Sequence, residues 1–216
     1  MDYPESLVKE VNIKSQDFLL EGFMSGYGDF KRGLFIVGEA PGKTELVTGL
    51  PFTGQAGKYL DSWLRDADFK RSDFYISSSL KSRPYKIREH TDKKTGIISH
   101  TYPNRTPSKK EILVHAKILD YEIKTLNPKI LLPMGNIGLK RLLGNNYRIS
   151  EWHGKYFKSK ILETDVQGEG YKFSEEEYLI YPLYHPAAAL YNPKLAIQGS
   201  EDLKHLAELL AEDTCH

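Results

Sequence analysis

Cysteine is nearly absent: there is one thiol, Cys215, in 216 residues. A lone cysteine excludes an internal disulfide, and its place beside the terminus marks it as a frayed thiol without consequence. No apolar run approaches the length of a membrane span, and residues 1–16 lack the apolar core of a secretory signal, so a cytoplasmic protein is expected. Neither sign of charge prevails. Thirty Lys and Arg against 29 Asp and Glu leave a net charge of +1, which decides nothing about nucleic acid, because a binding surface is made by the distribution of charge. Internal repeats and low-complexity segments are lacking too. His115, with His90 or His100, has neither cysteine companions nor metal-ligand spacing, so no zinc site and no other cofactor is expected.

What is present suffices for one sizeable core: 40% of the residues are hydrophobic, and a second domain would be cramped in a chain of this length. A single domain over residues 1–216 is the expectation. Residues 33–38 form an apolar run of strand length that breaks into Gly38-Glu39-Ala40-Pro41-Gly42, the pattern of a buried strand ending in a tight loop, where ligands of α/β proteins gather. Gly42-Lys43-Thr44 invites a nucleotide-triphosphate loop, but that motif needs four residues between its glycines and three are present. Its Lys-Thr would also have to open a helix, and two glycines and a proline among residues 45–54 argue against one.

Strand and helix then alternate. A short helix is expected within residues 6–11. Ala56, Tyr59, Leu60, Trp63, Leu64 and Ala67 repeat as the buried stripe of an amphipathic helix. A strand follows over residues 73–80. Ser108 with Glu111 forms a capping box for a helix ending before Pro128. Residues 129–134 read as a strand, 136–143 as a helix stopped by Gly144, 152–162 as β-rich, 178–184 as a strand delivering His185, and 201–210 as a closing helix. Residues 81–110 carry nine Lys or Arg against Glu89 and Asp92, a density suited to a phosphate backbone, or else a solvated loop. Within them, residues 85–103 read as an inserted basic hairpin or mobile loop with its tip at Lys93 and Lys94.

Four stretches carry a resemblance: Gly38-Glu39-Ala40-Pro41-Gly42 with Gly49-Leu50-Pro51-Phe52-Thr53-Gly54 and Ala56-Gly57; Lys81-Ser82-Arg83-Pro84; Asn104-Arg105-Thr106-Pro107; and His185-Pro186-Ala187-Ala188-Ala189-Leu190. In this order they resemble the motifs of the uracil-DNA glycosylase superfamily, nearest to family 4, the iron-sulfur type. The resemblance implies a three-layer α/β/α domain on a mostly parallel sheet of four or five strands. It implies hydrolytic excision of uracil or a related damaged base from DNA, by a monomer acting on single or double strands.

Base excision needs a pocket that takes a flipped base, stacks its ring and reads its polar edge. The resemblance gives stacking to Phe52, which on burial alone could equally be core, and gives His185 the hydrogen bond to the base's O2 as negative charge develops there. Gly38, Ala40, Pro41 and Gly42 would line the base through their backbone. The carboxylate position of the best-known branch holds Ala40, leaving Glu39 and Asn104 as the residues that could position water. Lys81, Arg83, Arg105, Lys93 and Lys94 would meet the backbone of DNA, and Ala189 or Leu190 would wedge into the vacated stack.

Two departures stand out. Family 4 holds a [4Fe-4S] cluster on four cysteines, and Ser82 and His115 occupy two of those positions. The asparagine that reads the base's Watson-Crick edge is replaced by Ser78, which offers one hydroxyl instead of an amide's donor and acceptor. A DNA-binding protein that kept the fold but lost competent excision is the alternative that both departures leave open.

Overall fold

The computed structural model describes residues 1–213, so Cys215 lies outside the described residues. The chain opens with helix α1 (Glu5–Lys14) and two short strands, β1 (Leu20–Glu21) and β2 (Tyr27–Gly28). Strand β3 (Leu34–Gly38) follows, then α2 (Lys43–Thr48), α3 (Gln55–Asp66), β4 (Phe74–Ser78) and β5 (Arg83–Pro84). A hairpin of β6 (Arg88–Thr91) and β7 (Ile98–Thr101) leads into α4 (Lys109–Leu126) and β8 (Ile130–Pro133). Helices α5 (Gly135–Leu143) and α6 (Ile149–Trp152), strands β9 (Phe157–Thr164) and β10 (Tyr171–Ile180), and helix α7 (Pro193–Asp213) complete the order.

The central sheet has six strands in the order β2-β4-β3-β8-β10-β9. Its inner four are parallel, and β2 and β9 pair antiparallel at the edges. The count of four or five strands is therefore corrected to six. Strand β2 is two residues long, too short for alternation to register in sequence. Along β3 the side chains alternate between two fully buried faces, Leu34 and Ile36 toward α3 and α7, Phe35 and Val37 toward α4 and α5. Helices on both faces make the three layers of an α/β/α architecture, and burial on both faces is why the inner strands read as unbroken apolar runs.

Four elements differ from those expected. Helix α2 exists despite the glycines and proline of residues 45–54, because it needs only the six residues before Gly49, whose left-handed φ of 69° ends it. Lys43 therefore does open a helix, and only the spacing of its glycines tells against a triphosphate loop. Strand β10 begins at Tyr171, before the expected residue 178, since its first half is an edge hairpin with exposed polar side chains. Helices α1 and α7 are both longer than their apolar stripes.

Behind the sheet's carboxyl edge, Lys81 is fully buried, as is its partner Glu122 at 2.6 Å. Glu122 also accepts hydrogen bonds from Ser77 Oγ at 2.6 Å, Tyr75 OH at 3.2 Å and Tyr3 OH at 2.5 Å. Burial pulls the Lys81 ammonium below its ordinary range and the Glu122 charge opposes it. The expected contact between Lys81 and DNA is thus corrected: this lysine ties strand, helix and N-terminal arm together inside the protein. Lys81→Met leaves an unpaired buried carboxylate and should cost about 3–5 kcal/mol of stability by denaturant unfolding. A variant of unchanged stability that lost affinity for DNA would put Lys81 back on the surface.

Candidate active site

The parallel strands β3, β4, β8 and β10 all end on one edge, and the segments that leave β3, β4 and β10 line an open-mouthed cavity of about 430 Å³ there. Its lining includes Gly38, Glu39, Ala40, Pro41, Gly42, Phe52, Ser78, Asn104, Arg105, His185 and Leu190. Residues from four sequence motifs are thereby brought together where α/β folds hold ligands.

His185 caps a short 3₁₀ turn, and its Nδ1 accepts the backbone N–H of Ala187 at 3.2 Å. With Nδ1 an acceptor, the neutral ring carries its proton on Nε2, as a donor. Burial lowers the His185 pKa to about 4, against the opposing charge of Glu45. Gly135, at φ 75°, makes room for this ring, since a Cβ there would stand 2.7 Å from His185 Cβ.

Phe52 lies 5.6 Å from the His185 ring, centroid to centroid, with its backbone in the left-handed region at φ 53°. A non-glycine residue adopts that conformation only when its surroundings impose it. Two side chains without an assigned role do so. Glu45 accepts from Gly42 N at 3.1 Å, Thr53 N at 3.0 Å and Gly54 N at 2.8 Å, clasping the two halves of the first motif. Arg71 donates to the carbonyls of Pro51 at 2.7 Å and Phe52 at 2.6 Å, and is itself held by Asp61 at 2.6 Å. A carboxylate three residues after an N-cap glycine was a readable capping signal for Glu45; Arg71 has no local signal.

Glu39 faces the cavity, and burial alone raises its carboxyl above the ordinary carboxylate range. Asn104 has its Oδ1 taken by Arg83 Nε at 2.6 Å, which leaves the amide N–H groups as its free functionality. Gly42 N is likewise taken by Glu45. Ser78 Oγ donates to Leu80 O at 2.8 Å, so only its lone pairs face the cavity.

The other expected DNA contacts divide. Arg83 is corrected to a buried anchor that bonds Asn104, Glu21 and the carbonyl of Tyr102. Arg105 stands at the rim, but Glu111 holds its guanidinium in two bonds of 2.9 and 2.5 Å, and that partner's pKa falls to about 2. Ala189 is corrected from wedge to core at 2% exposure, whereas Leu190 is exposed on the rim. Lys93 and Lys94 lie exposed at the hairpin tip, apart from the cavity lining.

A family model described as the uracil DNA glycosylase superfamily matches residues 25–212. The chain belongs to that superfamily. It is 34% identical over 187 residues to a type-4 uracil-DNA glycosylase of Sulfurisphaera tokodaii, spanning 85% of this chain and 73% of that protein. Its identity to the type-4 enzyme of Saccharolobus solfataricus is 30% over 191 residues, spanning 86% and 75%. For that of Archaeoglobus fulgidus it is 28% over 187 residues, spanning 87% and 81%.

An iron-sulfur cluster does not fit the residues of this chain. Ser82 and His115 are buried with a hydroxyl and an imidazole where thiolates would be needed, and His115 Nε2 pairs with Ser15 Oγ at 3.1 Å. Among the described residues no group of three or more His, Cys, Asp or Glu could hold a metal ion.

The clasp around Phe52 is testable on its own. Arg71→Met should free the Pro51 and Phe52 carbonyls and release backbone strain of about 1–3 kcal/mol. Amide exchange over residues 50–54 should then accelerate; unchanged exchange would mean that Glu45 alone imposes the conformation.

Proposed function

We propose that the protein is a monofunctional DNA glycosylase that takes a flipped uracil, or a closely related damaged base, into the cavity and hydrolyses its N-glycosidic bond. The observation that carries this reading is the His185 ring: neutral, fixed as an Nε2 donor, and set beside an aromatic in a cavity open to solvent on one side. Breaking the C1′–N1 bond sends its electron pair onto the base, and a neutral donor aimed at O2 stabilises that growing negative charge. Phe52 supports the ring by stacking.

Glu39 is the better of the two residues weighed for the water. Its carboxylate accepts a proton, whereas the Asn104 carbonyl is committed to Arg83. The water oxygen bonds to C1′, its proton passes to Glu39, and the base departs as an anion. Asn104 then serves as an amide donor toward the base or the water. Leu190 remains as the wedge, and Lys93 and Lys94 as cations for the backbone of DNA.

Both protonation states that this mechanism needs, an ionised Glu39 and a neutral His185, are lost on the acid side. Glu39 must be ionised and its raised pKa lies above that of His185, so excision should fall as pH drops through the Glu39 pKa before imidazolium forms near about 4. Glu39→Gln should lower single-turnover excision by roughly two orders of magnitude or more and abolish that acid limb. His185→Ala should lower it by roughly two to three orders of magnitude with little change in DNA affinity. A His185→Ala protein as fast as the parent on every substrate would sink the mechanism and favour a DNA-binding protein without excision.

Base selectivity is tested at Ser78. Ser78→Asn restores an amide edge facing the cavity and should raise uracil excision over other bases by about 1–3 kcal/mol of discrimination. Unchanged preference between uracil- and hypoxanthine-containing oligonucleotides would mean that another residue reads the base.

A further inference from the structure

The hairpin that leaves the sheet between β5 and α4 packs against nothing along its strands: every residue of β6 and β7 is exposed. Its ladder starts at the cavity. Tyr85 pairs with Asn104, Lys86 N bonds Pro103 O at 3.0 Å, and the register continues through Arg88–Thr101, Glu89–His100, His90–Ser99 and Thr91–Ile98. Opposed residues share a face and alternate along each strand. The face that begins with Asn104, a cavity residue, therefore continues through Tyr102, His100 and Ile98, with Tyr85 and Ile87 beside them. Tyr102 is 52% exposed, Ile87 53% and Ile98 57%. Tyr85 meets Tyr102 edge-on at 5.9 Å. The opposite face carries Lys86, Arg88 and His90 with Ser99 and Thr101, and the tip carries Lys93 and Lys94.

Resting on the glycosylase reading of the cavity, we infer that the Asn104–Ile98 face is a stacking track for unpaired nucleotides, and that the partner it fits is single-stranded DNA leading into the pocket. Rings and branched side chains spaced along an extended strand match bases splayed from a backbone, and cations along the other face and tip match its phosphates. A duplex offers no such match, since its bases are already stacked on one another. The one acidic group on the track, Glu89, lies 3.7 Å from His100 Nε2. The track runs from Asn104 to Ile98, about 20 Å of extended chain, so it reaches nucleotides well beyond the flipped one. Continuity with the cavity favours DNA over a protein partner.

The test uses oligonucleotides without uracil, so that binding is read apart from excision. The parent should bind oligothymidine at least about tenfold more tightly than an abasic oligonucleotide of equal length, and more tightly than the matching duplex. The combined change His100→Ala and Tyr102→Ala should erase the difference between thymidine and abasic strands while leaving the salt dependence of binding in place. Ile87→Ser with Ile98→Ser should reduce the same difference without touching the Tyr85–Tyr102 contact. Equal binding of thymidine and abasic strands by the parent overturns the track, and is the result expected if this face docks a protein. Preference for duplex, or variants that keep the parent's discrimination, also overturn it. A parent that shows the track but excises no uracil would sink the glycosylase reading alone; one that excises uracil without base-dependent binding would sink the track alone.

Discussion

The carboxyl ends of four parallel strands meet along one edge, and the backbone groups left without ladder partners there constrain every loop that builds the site. Each is met locally. Gly38 O accepts from both Ser79 N and Ser79 Oγ at 2.9 Å, Glu39 O accepts from Leu80 N at 3.0 Å, and Leu183 O from Gly135 N at 2.8 Å. These bonds stitch the exit of β3 to that of β4 and the exit of β8 to that of β10, and Met134 N on Val37 O at 2.9 Å joins the two pairs, so the motifs cannot drift apart independently. Unpaired buried backbone groups cost about as much as a lost hydrogen bond, which is why glycine and serine crowd this edge. Glu45 and Arg71 extend the same principle one layer out, supplying acceptor and donor to a loop that would otherwise not hold Phe52 at positive φ.

The placements legible in sequence were those fixed by adjacent backbone. Gly38–Gly42 and His185 each lie within one strand-to-turn transition, so their place at the cavity is written contiguously. The Ser108–Glu111 cap is equally local, with Glu111 Oε2 on Ser108 N at 2.7 Å. What was not legible depends on separation. Lys81, Arg83 and Arg105 all counted toward a basic segment, yet each is matched to a carboxylate, two of them far away along the chain: Glu122 and Glu21. Charge density in sequence cannot distinguish a cation paired within the protein from one facing solvent. Helix α2 was missed for a different reason, since breaker residues were weighed over a window longer than the helix itself.

Without cluster thiolates the N-terminal arm has to be fixed by other means, and the arm is fixed. Glu10 pairs with Lys117 at 2.8 Å, Tyr3 with Glu122 at 2.5 Å and Ser15 with His115 at 3.1 Å, all joining the arm to α4. Strand β1 then pairs with β5, and Met24 N bonds Lys81 O at 2.7 Å. A cluster would provide four strong bonds at one point; hydrogen bonds of about 1 kcal/mol each must be spread along the arm to do comparable work. The buried Lys81–Glu122 pair concentrates part of that task, because Glu122 is shared by the arm, β4 and α4.

The same edge decides the electrostatics of the site. A protonated histidine would attract a departing anion more strongly than a neutral one, but imidazolium in this cavity would have to be desolvated, and that cost outweighs the opposing charge of Glu45 and lowers the pKa to about 4. The Ala187 N–H on Nδ1 opposes protonation further, since that nitrogen would need to become a donor facing a donor. A fixed neutral donor needs no reorganisation when charge appears on the base. Burial acts on Glu39 in the opposite sense, making its carboxylate more basic than in water. His185 therefore offers the cavity a proton that it holds firmly, and Glu39 an acceptor made stronger by the same loss of solvent.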